Sequence, residues 1–322
     1  MAYTTIPKPS VYFDTKLYTG NGGTQNITGV GFEPSFTWIK ERAGAEDHAL
    51  FDAVRGVTKR LISNEANGES TQQGVTAFNS DGVTLGNINA VNENNGLFVS
   101  WNWKANGQGS SNSDGSINTT YTSASTTSGF SISTYTGTGA NATVGHGLGI
   151  TPKMFIVKRL NTTGAFRTYH EATGNLGQMA LNATDQVSDV AAMWNSTSPT
   201  NSTISIGTHA GVNANGGTYV VYCFADVQGY SKMGSYIGNG SADGAFEYLG
   251  FKSAWVLIKK ASAAESWYLF DNKREGYNGS NPELNPNASN AEQAGSRIDI
   301  LSNGFKATQN NTSVNTDGAK YI

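Results

Sequence analysis

Apolar and polar positions alternate over short stretches along most of the chain. In Phe98-Val-Ser-Trp-Asn-Trp103, Val99, Trp101 and Trp103 fall on one face at period two, the pattern of a half-buried strand. Phe130-Ser-Ile132-Ser-Thr-Tyr135 alternates in the same way, and Tyr219-Val-Val-Tyr-Cys-Phe224 is an aromatic-rich run of similar length. Three apolar runs end in lysine, Phe36 to Lys40, Met154 to Lys158 and Trp255 to Lys259, and also read as strands. Long helical periodicity is missing. Glycine-containing turns at short spacing separate the runs, which predicts an all-β protein of sandwiches or barrels.

The strand signals recur in register. Tyr18-Thr-Gly-Asn-Gly, Tyr135-Thr-Gly-Thr-Gly and Tyr236-Ile-Gly-Asn-Gly each open a stretch that reaches one of the three lysine-ended runs. About a dozen residues on come Leu50-Phe51-Asp52, Thr168-Tyr169-His170 and Leu269-Phe270-Asp271. Lys40 and Lys158 are as far apart as Asp52 and His170, and the same holds for Lys158 and Lys259 against His170 and Asp271. The stretches converge again at Val91-Asn92, Val212-Asn213 and Val314-Asn315. Each pair precedes a turn dipeptide, Asn95-Gly96, Asn215-Gly216 or Asp317-Gly318, of the kind that supplies positive-φ residues to a hairpin.

This pattern predicts three tandem β-sandwich-like domains from an internal repeat of about 100 residues, at 18–105, 130–226 and 235–322. Residues 106–129, rich in Gly, Ser and Thr, read as a connector or as a hairpin leading into the second domain. The short link from Val227 to Ser235 suggests domains stacked in a rod. Residues 1–17 lie outside the repeat and read as an extended attachment arm, with Tyr3, Pro7, Pro9, Tyr12 and Phe13 its candidate contacts. In the third domain the aromatic strand has reached only Tyr321 and Ile322, so about six strand residues are expected to follow or to come from a neighbouring chain.

Composition narrows the function. Only 14% of residues are charged, against an 11% aromatic content that supplies ample core, and the net charge is −3. No basic stripe suits a phosphate backbone, so nucleic-acid binding is disfavoured. Cys223 is the single cysteine, which excludes an internal disulfide. The start of the chain has no signal-peptide pattern. The longest apolar run, Tyr219 to Ala225, is far below the roughly 20 residues of a membrane span.

Candidate chemistry is sparse. The four histidines, His48, His146, His170 and His209, lack metal-ligand spacing, so neither a metal nor another cofactor is expected. Asp52 and Asp271 share one repeat position and read as turn-bonding carboxylates, with Arg55 and Arg274 as partners three residues on, rather than as a catalytic pair. Gly20-Asn-Gly-Gly23 is a turn, because no Lys-Ser/Thr or helix follows it. Trp194 and Trp267 sit among polar residues and are candidates for stacking on sugar rings, or else caps on the edge of a core.

The run Trp38-Ile-Lys-Glu-Arg, then His48-Ala-Leu-Phe-Asp-Ala-Val-Arg-Gly56, Ser80-Asp-Gly-Val-Thr-Leu85 and Trp101-Asn-Trp-Lys104 resembles a domain of unknown function. That domain recurs in tail-fibre and other virion proteins of bacteriophages, many of them marine. Gly129 to Gly137, His146-Gly-Leu-Gly-Ile-Thr-Pro152, Tyr222-Cys-Phe-Ala-Asp226 and Gly229 to Gly234 are similar to its other parts. The resemblance implies a non-enzymatic virion component assembled in the host cytoplasm, in the first place a tail fibre or tail-associated protein that contacts the host. A capsid-attached fibre or decoration protein and a glycan-binding, lectin-like module are the alternatives. Expected partners are other virion proteins, further copies of the chain (a trimer before other states) and a host surface glycan or protein.

Overall fold

The computed structural model describes Thr4, residues 6–274, Asn278, residues 281–308 and residues 312–322. Strands dominate, and the helical segments are three or four residues long. The protein is all-β, without a closed barrel.

In the first stretch β1 (Phe13–Thr19), β2 (Phe36–Glu41), β3 (Ala49–Asp52) and β4 (Leu97–Trp103) form an antiparallel sheet in the order β1-β4-β2-β3. The middle stretch repeats that order. With β5 (Tyr121–Ser125), β6 (Phe130–Thr136), β7 (Met154–Arg159), β8 (Arg167–His170) and β9 (Thr218–Phe224), its sheet runs β5-β6-β9-β7-β8 and continues into two edge strands. The connector at 106–129 thus ends in β5, hairpinned to β6. In the third stretch β10 (Tyr236–Ile237) pairs with β13 (Lys320–Tyr321), and β11 (Trp255–Lys259) pairs with β12 (Trp267–Asp271). Reciprocal backbone bonds between Lys259 and Ile322, both 3.0 Å, join the two pairs.

Each of these sheets faces a smaller outer sheet from its own stretch: Gln25–Ile27 with Gly82–Leu85 and Val75–Asn79; Ala142–Gly145 with Thr203–Ile206; Phe246–Tyr248 with Gly304–Ala307 and Ile298–Leu301. Apolar residues between the paired sheets form a separate core in each stretch, for example Ile39, Phe51 and Phe98 in the first. The opposite faces of the main sheets meet in a fourth core common to all three, with Trp38, Trp101 and Trp103, Ile132 and Tyr222, and Trp267 and Leu269. β4 is therefore buried on both faces rather than half-buried: Trp101 is in the common core and Phe98 in the first stretch's own. The polar side chains of its second face survive burial by bonding one another, as Asn102 does with Ser100 and Thr37.

The stretches close on themselves instead of stacking as a rod. Three equivalent backbone bonds link them in a cycle: Glu69 N–H to Leu160 O (2.8 Å), Val187 N–H to Ala261 O (3.0 Å) and Glu292 N–H to Arg42 O (2.7 Å). The last bond joins the third stretch to the first, and the Arg42 guanidinium adds two bonds to the Glu292 carboxylate at 3.0 and 2.9 Å. A linear array would leave these groups apart.

The segment outside the sheets is shorter than the predicted residues 1–17. Phe13 to Leu17 belong to β1, in register with β4 from Trp103 to Val99, and the Phe13 ring packs 4.8 Å from that of Trp103. Tyr12 meets Tyr230 edge-on at 6.3 Å, Pro9 lies in a single 3-10 turn, Pro7 is exposed and Ile6 is buried. Tyr3 lies outside the described residues. The local reading missed β1 because the two prolines just before it mask a short alternation.

Candidate functional site

The residues repeated in all three stretches build the same local device each time. Tyr18, Tyr135 and Tyr236 donate their hydroxyls to the carbonyls of Val91, Val212 and Val314 at 2.6, 2.7 and 2.7 Å. Their rings stack on Phe98, Tyr219 and Tyr321 at 5.2, 5.1 and 4.9 Å. The buried amides of Asn92, Asn213 and Asn315 hold the glycine turns: each Oδ1 accepts an N–H from Asn21, Thr138 or Asn239 at 2.8–2.9 Å. A Cβ at Gly20 or Gly238 would lie 2.1 or 2.2 Å from a carbonyl oxygen of the facing turn, so only glycine fits. These loops close on an asparagine side chain, not on a phosphate.

The three strand-ending lysines are fully buried, and two of them reach across the joints between stretches. Lys40 Nζ donates to the carbonyls of Glu41 and Gly44, Lys158 to those of Ala66 and Gly164, and Lys259 to those of Lys260 and Thr184. Lys158 and Lys259 therefore reach carbonyls of the preceding stretch. Burial pushes all three ammonium groups down to about 8.

Asp52 and Asp271 behave as the turn reading predicts, and do more. Arg55 and Arg274 pair with them at 2.6 Å, both pairs almost wholly shielded from solvent. Each aspartate also takes a bond from the next stretch: Tyr222 Oη donates to Asp52 Oδ2 at 2.7 Å, and Trp101 Nε1 to Asp271 Oδ2 at 3.0 Å. Glu69 and Glu292 extend the arginine contacts at 3.2 and 3.1 Å. Burial alone would raise the Asp271 carboxyl, but Arg274 outweighs it and holds the group below the ordinary carboxylate range. The middle stretch replaces the set together, with His170, Thr173 and Val187 at the corresponding places.

The histidines do not converge. His48 Nδ1 accepts from Trp38 Nε1 at 2.9 Å, and His146, His170 and His209 each accept a backbone N–H two residues on. Among the described residues no group of three or more His, Cys, Asp or Glu side chains could hold a metal ion.

Trp194 and Trp267 are 0% and 1% exposed, which removes them as sugar-stacking platforms. Trp194 donates to Gly177 O at 2.9 Å, and Trp267 to Ala180 O at 3.0 Å in the joint between the third and middle stretches. The polar neighbours Asn195 and Ser196 lie at the surface while the Trp194 ring turns inward.

Among the described residues a cavity of about 530 Å³ lies beside β11. Its walls include the aromatic rings of Trp38, Trp103, Tyr222, Phe224 and Trp255, and His170 reaches it from the middle stretch. No local pattern in the sequence marks this opening, because its walls come from all three stretches.

The chain belongs to the DUF7483 family, a domain of unknown function, whose family pattern matches residues 8–322. No curated protein and no solved structure matches it.

Proposed function

We propose that the chain is a non-catalytic structural or adhesive component of a bacteriophage particle, in the first place a tail-associated protein that contacts the host. The observation that carries this reading is where the repeated polar groups go. The tyrosines, asparagines, lysines and Asp–Arg pairs of the repeat are all consumed in holding turns and joints, so the repeat serves rigidity. A low-charge surface and the resemblance of the Trp38, His48, Ser80 and Trp101 segments to virion proteins agree with it. Closure of the three stretches on one another favours a second placement, as a compact decoration of the capsid. The N-terminal segment up to Tyr12 would contact other virion proteins, and self-association, a trimer first, would present several copies to a host glycan or protein. The test is peptide mass spectrometry and antibody labelling of purified phage particles that encode the chain. Label at the tail tip supports the first placement and label over the capsid the second. A chain found only in the soluble lysate, and never on particles, overturns the proposal.

A further inference from the structure

We propose that the open edge of the outer strand Phe246–Tyr248 binds an extended segment of a partner polypeptide in which a lysine or arginine sits between two apolar residues. The middle stretch shows the same arrangement already filled. There Ala142–Gly145 pairs with Thr203–Ile206 on one side, and Ser116 and Ile117 of the connector lie along the other. Ile117 runs parallel to the strand beside Val144, and its N–H donates to Thr143 O at 3.0 Å. Ser116 exchanges two further bonds with Thr143, both 2.9 Å. The Ile117 side chain is buried in the core of that stretch.

The third stretch leaves the equivalent edge uncovered among the described residues. Phe246–Tyr248 is an end strand of its sheet. Ile27, Val144 and Glu247 take equivalent places, paired with Val83, Ile204 and Phe305. Ala307 N–H bonds Ala245 O and Leu249 N–H bonds Asn303 O, so alternate residues, Glu247 among them, direct their backbone groups into the sheet. Those of Phe246, the counterpart of Thr143, and of Tyr248 point to the open side. These two residues are 44% and 64% exposed. The first stretch has the exposed polar residues Asn26 and Thr28 at the same places. An apolar edge with free backbone groups is a template for another chain.

Glu247 sets the charge of the occupant. Ile27 and Val144 are buried in their cores, whereas the third stretch places a half-buried carboxylate here, on the wall of the cavity beside β11. Among the described residues no cation pairs with it, and burial raises its carboxyl above the ordinary range. A basic residue in the position that Ile117 takes in the middle stretch lies next to Glu247 on the same face and supplies the missing charge. The residues on either side of it lie beside Phe246 and Tyr248 and are apolar. A second copy pairing antiparallel through this edge would set two Glu247 carboxylates against each other, so the occupant is a different polypeptide.

The test titrates the intact chain into two fluorescently labelled peptides, one alternating valine with lysine and one alternating valine with glutamate, and follows anisotropy. The lysine peptide is expected to bind at least about tenfold more tightly, and Glu247→Lys to reverse the order. Tyr248→Pro removes an N–H on the open side only, a change an edge strand tolerates. It should weaken binding of the lysine peptide by about tenfold or more while the circular dichroism spectrum stays the same. Equal binding of the two peptides, or binding that survives both substitutions, overturns the proposal. So does a dimer of the intact chain that Tyr248→Pro dissolves, because a second copy then holds the edge. The measurement is independent of where a particle carries the chain, so it can fail while the proposed placement stands.

Discussion

The hydroxyl of Tyr222 donates to Asp52 Oδ2 at 2.7 Å from another stretch of the chain, onto a carboxylate already paired with Arg55. This bond crosses a joint, so its loss reports on the joint itself. Tyr222→Phe is expected to cost about 1–3 kcal/mol, the range for a buried bond to a charged group. Asp52→Ala should cost about 3–5 kcal/mol, because Arg55 is then left buried without its closest counter-ion. Urea unfolding of both variants checks the order.

The middle stretch shows how the charged set is lost: all three members change at once, to His170, Thr173 and Val187. Copying that state into the first stretch, with Asp52→His, Arg55→Thr and Glu69→Val together, should destabilise less than Arg55→Thr alone. The single change strands a buried carboxylate, whereas the triple change removes every charge. A triple variant less stable than the single one by urea midpoint would contradict the view that the set works as a unit.

Buried tryptophans make a second check. Trp267→Ala is expected to cost about 3–5 kcal/mol through the cavity it leaves in the common core. The tryptophan fluorescence of the folded chain should resist quenching by iodide and should not respond to added sugars.

Acid should weaken the fold through its histidines. Burial lowers the affinity of all four rings for a proton, His48 far below the ordinary 6.5 and His170 to about 4. The unfolded chain therefore binds more protons between these values. The stability that each neutral ring contributes is complete above pH 6.5 and is lost as pH falls toward the folded value. A fully buried histidine adds a slope of up to about 1.4 kcal/mol per pH unit in that window. Denaturant midpoints taken from pH 7.5 down to 4.5 should fall, and His170→Asn should flatten the fall.

How much of this was readable from residues alone depends on the range of the contact. The tyrosine–turn–asparagine device was legible, because Tyr18-Thr-Gly-Asn-Gly and Val91-Asn92 recur as local words and glycine is sterically required between them. The Asp52–Arg55 pair was legible for the same reason. The Trp101–Asp271 bond was not, since no local pattern couples a strand of one stretch to a turn 170 residues away. Trp194 misled because Asn195 and Ser196 beside it are polar and exposed, while its own indole reaches back to Gly177. The closed arrangement itself depends on such distant pairs, and it replaced the rod that a short linker suggested.

That closure, three stretches around one core, is tested most directly by the cooperativity of unfolding. Three variants would each carry a single reporter, on β3, β8 or β12, and be unfolded in urea. One common midpoint and slope for all three reporters is the result the shared core predicts. Three separated transitions, each following its own stretch, would contradict it.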